Sequence, residues 1–124
     1  MAHYLIEVGY TPQAWNSQVE TQPNVVDRIT PAVPAATGTI ESVYSAFGDA
    51  DLVCIIDFPT AEDAAGFALA VTSGGALRSY KTTPLLTVDQ GITAMRRAAE
   101  IRAKYTSPLT VDLVGGRAST KARA

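Results

Sequence analysis

The chemistry this sequence can offer rests on Trp15, Arg28, Tyr44, Asp51 and Arg78. Arg28 follows Pro23 by five residues, on a helical segment whose apolar side faces inward. Its planar guanidinium can therefore meet a carboxylate at a sheet edge or an anionic ligand. A structural salt bridge to Asp51 or Glu7 is the plainer expectation. Asp51 precedes the apolar run Leu52–Ile56 and reads first as a turn cap that accepts from backbone amides. As chemistry it would be a carboxylate at the mouth of a pocket. Arg78 alternates with Tyr80 and Thr82 along one strand, which predicts either an edge facing water or the wall of a wet cavity, with the edge the plainer reading. Trp15 and Tyr44 read as core or cavity-wall aromatics that would stack on a flat, apolar ligand.

Other candidates count for less. His3 is the single histidine, and it has no evident orienting partner nearby in sequence. Glu7 shares its strand face but lies about 13 Å along the strand, so the two form no dyad there. A metal site needs three or four suitable ligands, and one His with one buried Cys predicts none. Cys54, inside an apolar run, reads as a small core residue rather than a nucleophile. Gly74-Gly75 and Gly115-Gly116 lack the surroundings of a phosphate loop and read as a helix stop and a linker.

The elements that must position these groups follow from pattern. Residues 3–9 form a first strand with Tyr4, Ile6 and Val8 on one face. Thr11-Pro12 starts a helix through Trp15 and Val19, as a capping hydroxyl followed by a first-turn proline. Thr21 or Gln22 starts a second helical segment, with Val25, Val26, Ile29 and Val33 inward. Pro31 and Pro34 make it kinked or irregular beyond Ile29. Strand 2 spans Thr39–Phe47, Gly48–Asp51 turns, and strand 3 runs to Phe58. Thr60 and Asp63 cap an alanine-rich helix that Gly74-Gly75 ends. Strand 4 covers about Ala76–Thr82, and Thr87 with Gln90 opens the longest helix, roughly Val88–Lys104. A short strand-like run, Leu109–Val114, and a basic tail with Arg117, Lys121 and Arg123 close the chain.

This order predicts an α+β, ferredoxin-like βαββαβ sandwich with an antiparallel sheet over residues 1–104, with the C-terminal helix appended and residues 105–124 as an arm or tail. Leu52-Val53-Cys54-Ile55-Ile56 is apolar at every position, so both faces of its strand need cover. Helices cover one face. A second copy of the chain, paired face to face as a dimeric α/β barrel, would cover the other.

Composition narrows the function. The 124 residues suit one domain. Twelve acidic and ten basic residues leave a net charge of −2, unlike a dedicated nucleic-acid binder. A lone cysteine suits a reducing compartment. The first residues lack a signal-peptide pattern and nothing approaches a membrane span, so the expectation is a cytoplasmic protein without membrane partners.

Several motifs in order, YLIEVGYT, QPNVVDR, FGDADLV, AEDAAGFALAV and ALRSYKTTPLLTVDQ, resemble the GYD-domain family over roughly residues 3–100. Gly48 and Asp51 match the outer members of its Gly-Tyr-Asp element, while Ala50 stands where the tyrosine would be. The resemblance implies a dimeric α/β barrel, a fold similar to that of cofactor-free monooxygenases and small stress-related barrels, and no particular reaction. The expectation is a homo-oligomer with neither metal nor cofactor, binding a small apolar ligand or serving in assembly. The alternative is a cofactor-independent oxygenase or isomerase acting on an aromatic substrate.

Overall fold

The structure, a computed structural model, describes residues 1–109. Two units are distinguished, Met1–Leu86 and the chain from Thr87 onward. In the first, the elements run β1 (Ala2–Tyr10), α1 (Pro12–Thr21), α2 (Val25–Ile29), α3 (Ala32–Ala35), β2 (Thr39–Ser45), β3 (Leu52–Phe58), α4 (Ala61–Thr72) and β4 (Leu77–Leu85). The sheet order is β2-β3-β1-β4, antiparallel at each junction. That is the ferredoxin-like α+β arrangement, as the sequence predicts.

Local signals explain most boundaries. The Thr11 hydroxyl accepts from Ala14 N at 3.1 Å and Pro12 enters the first turn, so α1 starts where expected. The second helical segment differs. Asn24, not Thr21 or Gln22, supplies the cap through Val26 N, and Pro23 stays outside the helix. Beyond Ile29 the prolines divide the segment, leaving α3 as a single turn. Strand β2 ends at Ser45, two residues earlier than expected, because Ala46 N bonds Asp51 O at 2.9 Å and closes the turn. Phe47 is left fully exposed.

The pleat sorts the apolar residues. Tyr4, Ile6, Val8 and Tyr10 of β1 join Leu52, Cys54, Ile56 and Phe58 of β3 in the core, with Val33, Ala64 and Phe67 from the helices. Phe58 and Ile56 are wholly buried. The Phe58 ring packs at 5.9 Å from Tyr4 and 5.6 Å from Phe67, centroid to centroid. It also crowds Gly38, where a Cβ would stand 2.8 Å from the ring. The continuous apolar run divides between the two faces: Leu52, Cys54 and Ile56 face the helices, while Val53 and Ile55 lie on the opposite face, half-buried. Register sets Val53 beside Glu7 and Tyr44, and Ile55 beside Leu5 and Ser42.

The second unit is described by itself. Its helix α5 (Val88–Arg102) opens with the expected reciprocal capping box between Thr87 and Gln90. The strand-like run beyond Leu109 and the basic tail lie outside the described residues.

Replacing Phe58 with Ala should cost about 3–5 kcal/mol, because the removed ring leaves a cavity bounded by Tyr4, Phe67 and the Gly38 backbone. Urea unfolding of the F58A variant against wild type measures it.

Candidate functional site

An open cavity of about 700 Å³ lies on the helix side of the sheet. Val8 and Tyr10 form its floor, Ala14 and Gln18 of α1 one wall, and Val25, Arg28 and Ile29 of α2 another. Val71, Gly74, Gly75, Ala76 and Leu77 close the far side. Arg28 is the one charged side chain among these lining residues.

Tyr10 connects this cavity to a polar cluster. Its ring meets Trp15 edge-on at 5.3 Å, and Arg28 sits 5.9 Å from its centroid. Arg28 donates to the Tyr10 hydroxyl and to Gln18 Oε1, each at 3.1 Å. The expected salt bridge from Arg28 to Asp51 or Glu7 is therefore replaced by two neutral acceptors, because Asp51 is held elsewhere. Asp51 Oδ2 accepts from Tyr10 N at 2.9 Å, from Trp15 Nε1 at 3.2 Å and from Arg78 at 3.3 Å. Asp51 thus does bond a backbone amide, but the amide belongs to β1 rather than to its own turn. The Tyr10 amide, more than any other contact, holds the Asp51 carboxyl below its ordinary range, with Trp15 and Arg78 assisting against burial. Burial pushes the Tyr10 phenol up, against the lowering influence of Arg28, so it stays protonated near neutral pH.

Arg78 reaches this cluster by crossing Gly9. A Cβ at Gly9 would stand 2.6 Å from the Arg78 guanidinium carbon, so only glycine leaves the passage open. A register shift in the β1–β4 pairing falls at Gly9/Tyr10. Strand β4 is an edge strand, as the plainer reading has it. The three residues do not form one polar face, however. Tyr80 pairs with Val8 and packs against the core, and its phenol is pushed up by burial.

Trp15, Arg28, Asp51 and Arg78 are therefore gathered around Tyr10, a residue that the sequence pattern does not single out. Tyr44 is not with them. It lies on the opposite sheet face beside Val53 and is 68% exposed. Trp15 is more exposed than a core aromatic and braces Tyr10 from outside the cavity lining. The signal that could have found Tyr10 was its place two residues beyond Val8, just before the Thr11-Pro12 helix start.

A second cluster escaped the sequence. His3 Nδ1 lies 2.6 Å from both Glu41 Oε2 and Asp57 Oδ1. Pairing of β1 with β3 sets His3 opposite Asp57, and the irregularity between Ile40 and Ser42 brings in Glu41. No sequence spacing reveals a histidine and carboxylates 38 and 54 residues away. These ligand atoms all lie within 4.8 Å of one another, close enough to hold a cation. Yet donors on one tetrahedral zinc stand about 3.4 Å apart, while the separations from His3 Nδ1 are those of charge-assisted hydrogen bonds. The cluster is read as hydrogen-bonded: the two carboxylates, Asp57 first, favour the protonated imidazole and raise the His3 pKa from its ordinary 6.5. Cys54 is buried, and burial pushes its thiol up to about 11, consistent with a core role.

The fold and cavity define a ferredoxin-like α+β sandwich, and two solved structures share that architecture. MtbAldR matches with a TM-score of 0.54 at 16% identity, over 69% of this chain and 52% of its own. The chain thus spans about half the length of that relative. The 5-chloro-2-hydroxyhydroquinone dehydrochlorinase TftG of Burkholderia phenoliruptrix, in complex with 2,5-dihydroxybenzoquinone, matches with a TM-score of 0.51 at 11% identity, over 71% of this chain and 97% of its own. At these identities the likeness concerns the fold alone. No curated protein matches in sequence. The GYD domain pattern matches residues 4–106, and the chain belongs to the GYD-domain family. Among the described residues, no helix is long and apolar enough to cross a membrane.

Two outcomes follow from these clusters. Asp51→Ala should destabilise the fold by about 1–3 kcal/mol at pH 7, since Tyr10 N and Trp15 Nε1 lose their acceptor. Because the folded-state pKa of Asp51 is lowered, its contribution is present above about pH 3.8 and fades as pH falls through the folded value. The D51A deficit in urea unfolding should therefore shrink in acid. His3 has the opposite sign. Its raised pKa gives stability fully present below about pH 6.5 and lost as pH rises through the folded value. Thermal unfolding of His3→Gln should lack that alkaline decline.

Proposed function

We propose that this chain is a homo-oligomeric small-molecule-binding module whose ligand is largely apolar. The observation that carries this reading is the cavity of about 700 Å³ between α1, α2 and the sheet, lined mainly by Val8, Ala14, Val25, Ile29, Val71 and Leu77. That volume lies in the range of pockets that enclose small ligands. Tyr10, fixed from both sides by Trp15 and Arg28, gives the floor a preformed shape.

Self-association is supported by the opposite sheet face. Leu5, Val53 and Ile55 lie side by side there, half-buried, with Tyr44 exposed beside them. Two such faces related by a twofold axis would shield each other. The dehydrochlorinase TftG shows that one protein of this fold carries out catalysis. In this chain, however, the cavity lining presents no acid–base pair among the described residues, and ligand binding is the reading it supports better.

Titration with the neutral fluorophore N-phenyl-1-naphthylamine should show saturable enhancement at about one equivalent per chain. Ala14→Phe, which fills the cavity from α1, should abolish it. No enhancement with wild type would remove the binding reading. Native mass spectrometry should show more than one copy for wild type and a single copy for Ile55→Asp, and a wild-type monomer at micromolar concentration would remove the assembly part.

A further inference from the structure

We infer that the ligand of this cavity carries a carboxylate, or a similarly planar anion, bound jointly by Arg28 and the Tyr10 hydroxyl; the inference rests on the binding reading above. The cavity is apolar but not neutral: among the described residues Arg28 lines it, and no Asp, Glu or Lys does. Among the described residues, no carboxylate pairs with Arg28. The acid of the neighbouring cluster, Asp51, is occupied by Tyr10 N, Trp15 and Arg78.

The guanidinium is oriented rather than loose. Its Nη2 donates to the Tyr10 hydroxyl and to Gln18, which holds the plane of the fork beside the phenol, while among the described residues nothing accepts from its other N–H groups. Tyr10 is 8% exposed, and its hydroxyl accepts from Arg28. Among the described residues nothing accepts the phenol's own hydrogen. One cationic fork and one hydroxyl donor thus stand together at an apolar chamber. An apolar body inside, with its charged end toward the exposed Arg28, satisfies both. A neutral ligand would leave the guanidinium without an anion, and a cationic one would be repelled.

The test compares 1-naphthylacetate with 1-naphthylacetamide, near-isosteres that differ in charge, as competitors of bound N-phenyl-1-naphthylamine. Wild type should prefer the acid by about tenfold, the scale of one charge-assisted hydrogen bond, and the preference should weaken as ionic strength rises. Arg28→Gln should bring acid and amide to equal affinity when each is titrated directly by calorimetry, with circular dichroism showing the variant folded. Tyr10→Phe, which removes the hydroxyl donor, should reduce that preference. Equal affinities for acid and amide in wild type, with the fluorophore bound, would overturn this inference and leave the binding reading standing. Failure of the fluorophore to bind would remove both.

Discussion

A single carboxylate ties the working end of this fold together. Asp51 sits where the β2–β3 turn enters β3, and its Oδ2 bonds the last residue of β1, a side chain of α1 and the guanidinium that comes from β4. Three elements, each remote in sequence from Asp51, are therefore referenced to one oxygen. The backbone continues the same bracing, since Asp51 N donates to Val8 O at 2.8 Å. Tyr10, held by this arrangement, is what α1 and α2 pack around. Its ring position is thus inherited from Asp51.

The two sheet faces divide the work by chemistry. The helix face carries the buried aromatic core and, at its β1 end, an incompletely filled space with one cation at its mouth. The other face mixes Leu5, Val53 and Ile55 with paired charges: Glu7 with Lys81 at 3.9 Å, and His3 with its two carboxylates. Exposed pairs of this kind contribute little to stability.

The architecture was legible because its signals are local. Alternation marked β1, the Thr11-Pro12 and Thr87/Gln90 caps marked helix starts, and the uninterrupted apolar run Leu52–Ile56 marked a central strand. The site was less legible because its contacts are set by register. Arg28 and Asp51 were both noticed, yet pairing them ignored that the Tyr10 amide and Arg78 reach Asp51 first. Tyr44 alternates correctly but on the face away from the cavity, since the β2–β3 pairing aligns it with Val53 rather than Cys54. The His3 cluster depends on cross-strand pairing and a strand irregularity, neither of which is written in spacing along the chain.

The solitary thiol has its own corollary. Cys54 is 4% exposed, and with its ionisation pushed up to about 11 only on the order of one molecule in ten thousand bears a thiolate at pH 7. Alkylating agents and peroxide act on that anion, so the native sheet shields the sulfur twice, sterically and electrostatically. Its modification rate is then a clock for how often the central strand comes apart, read from the unaltered polypeptide without any engineered label.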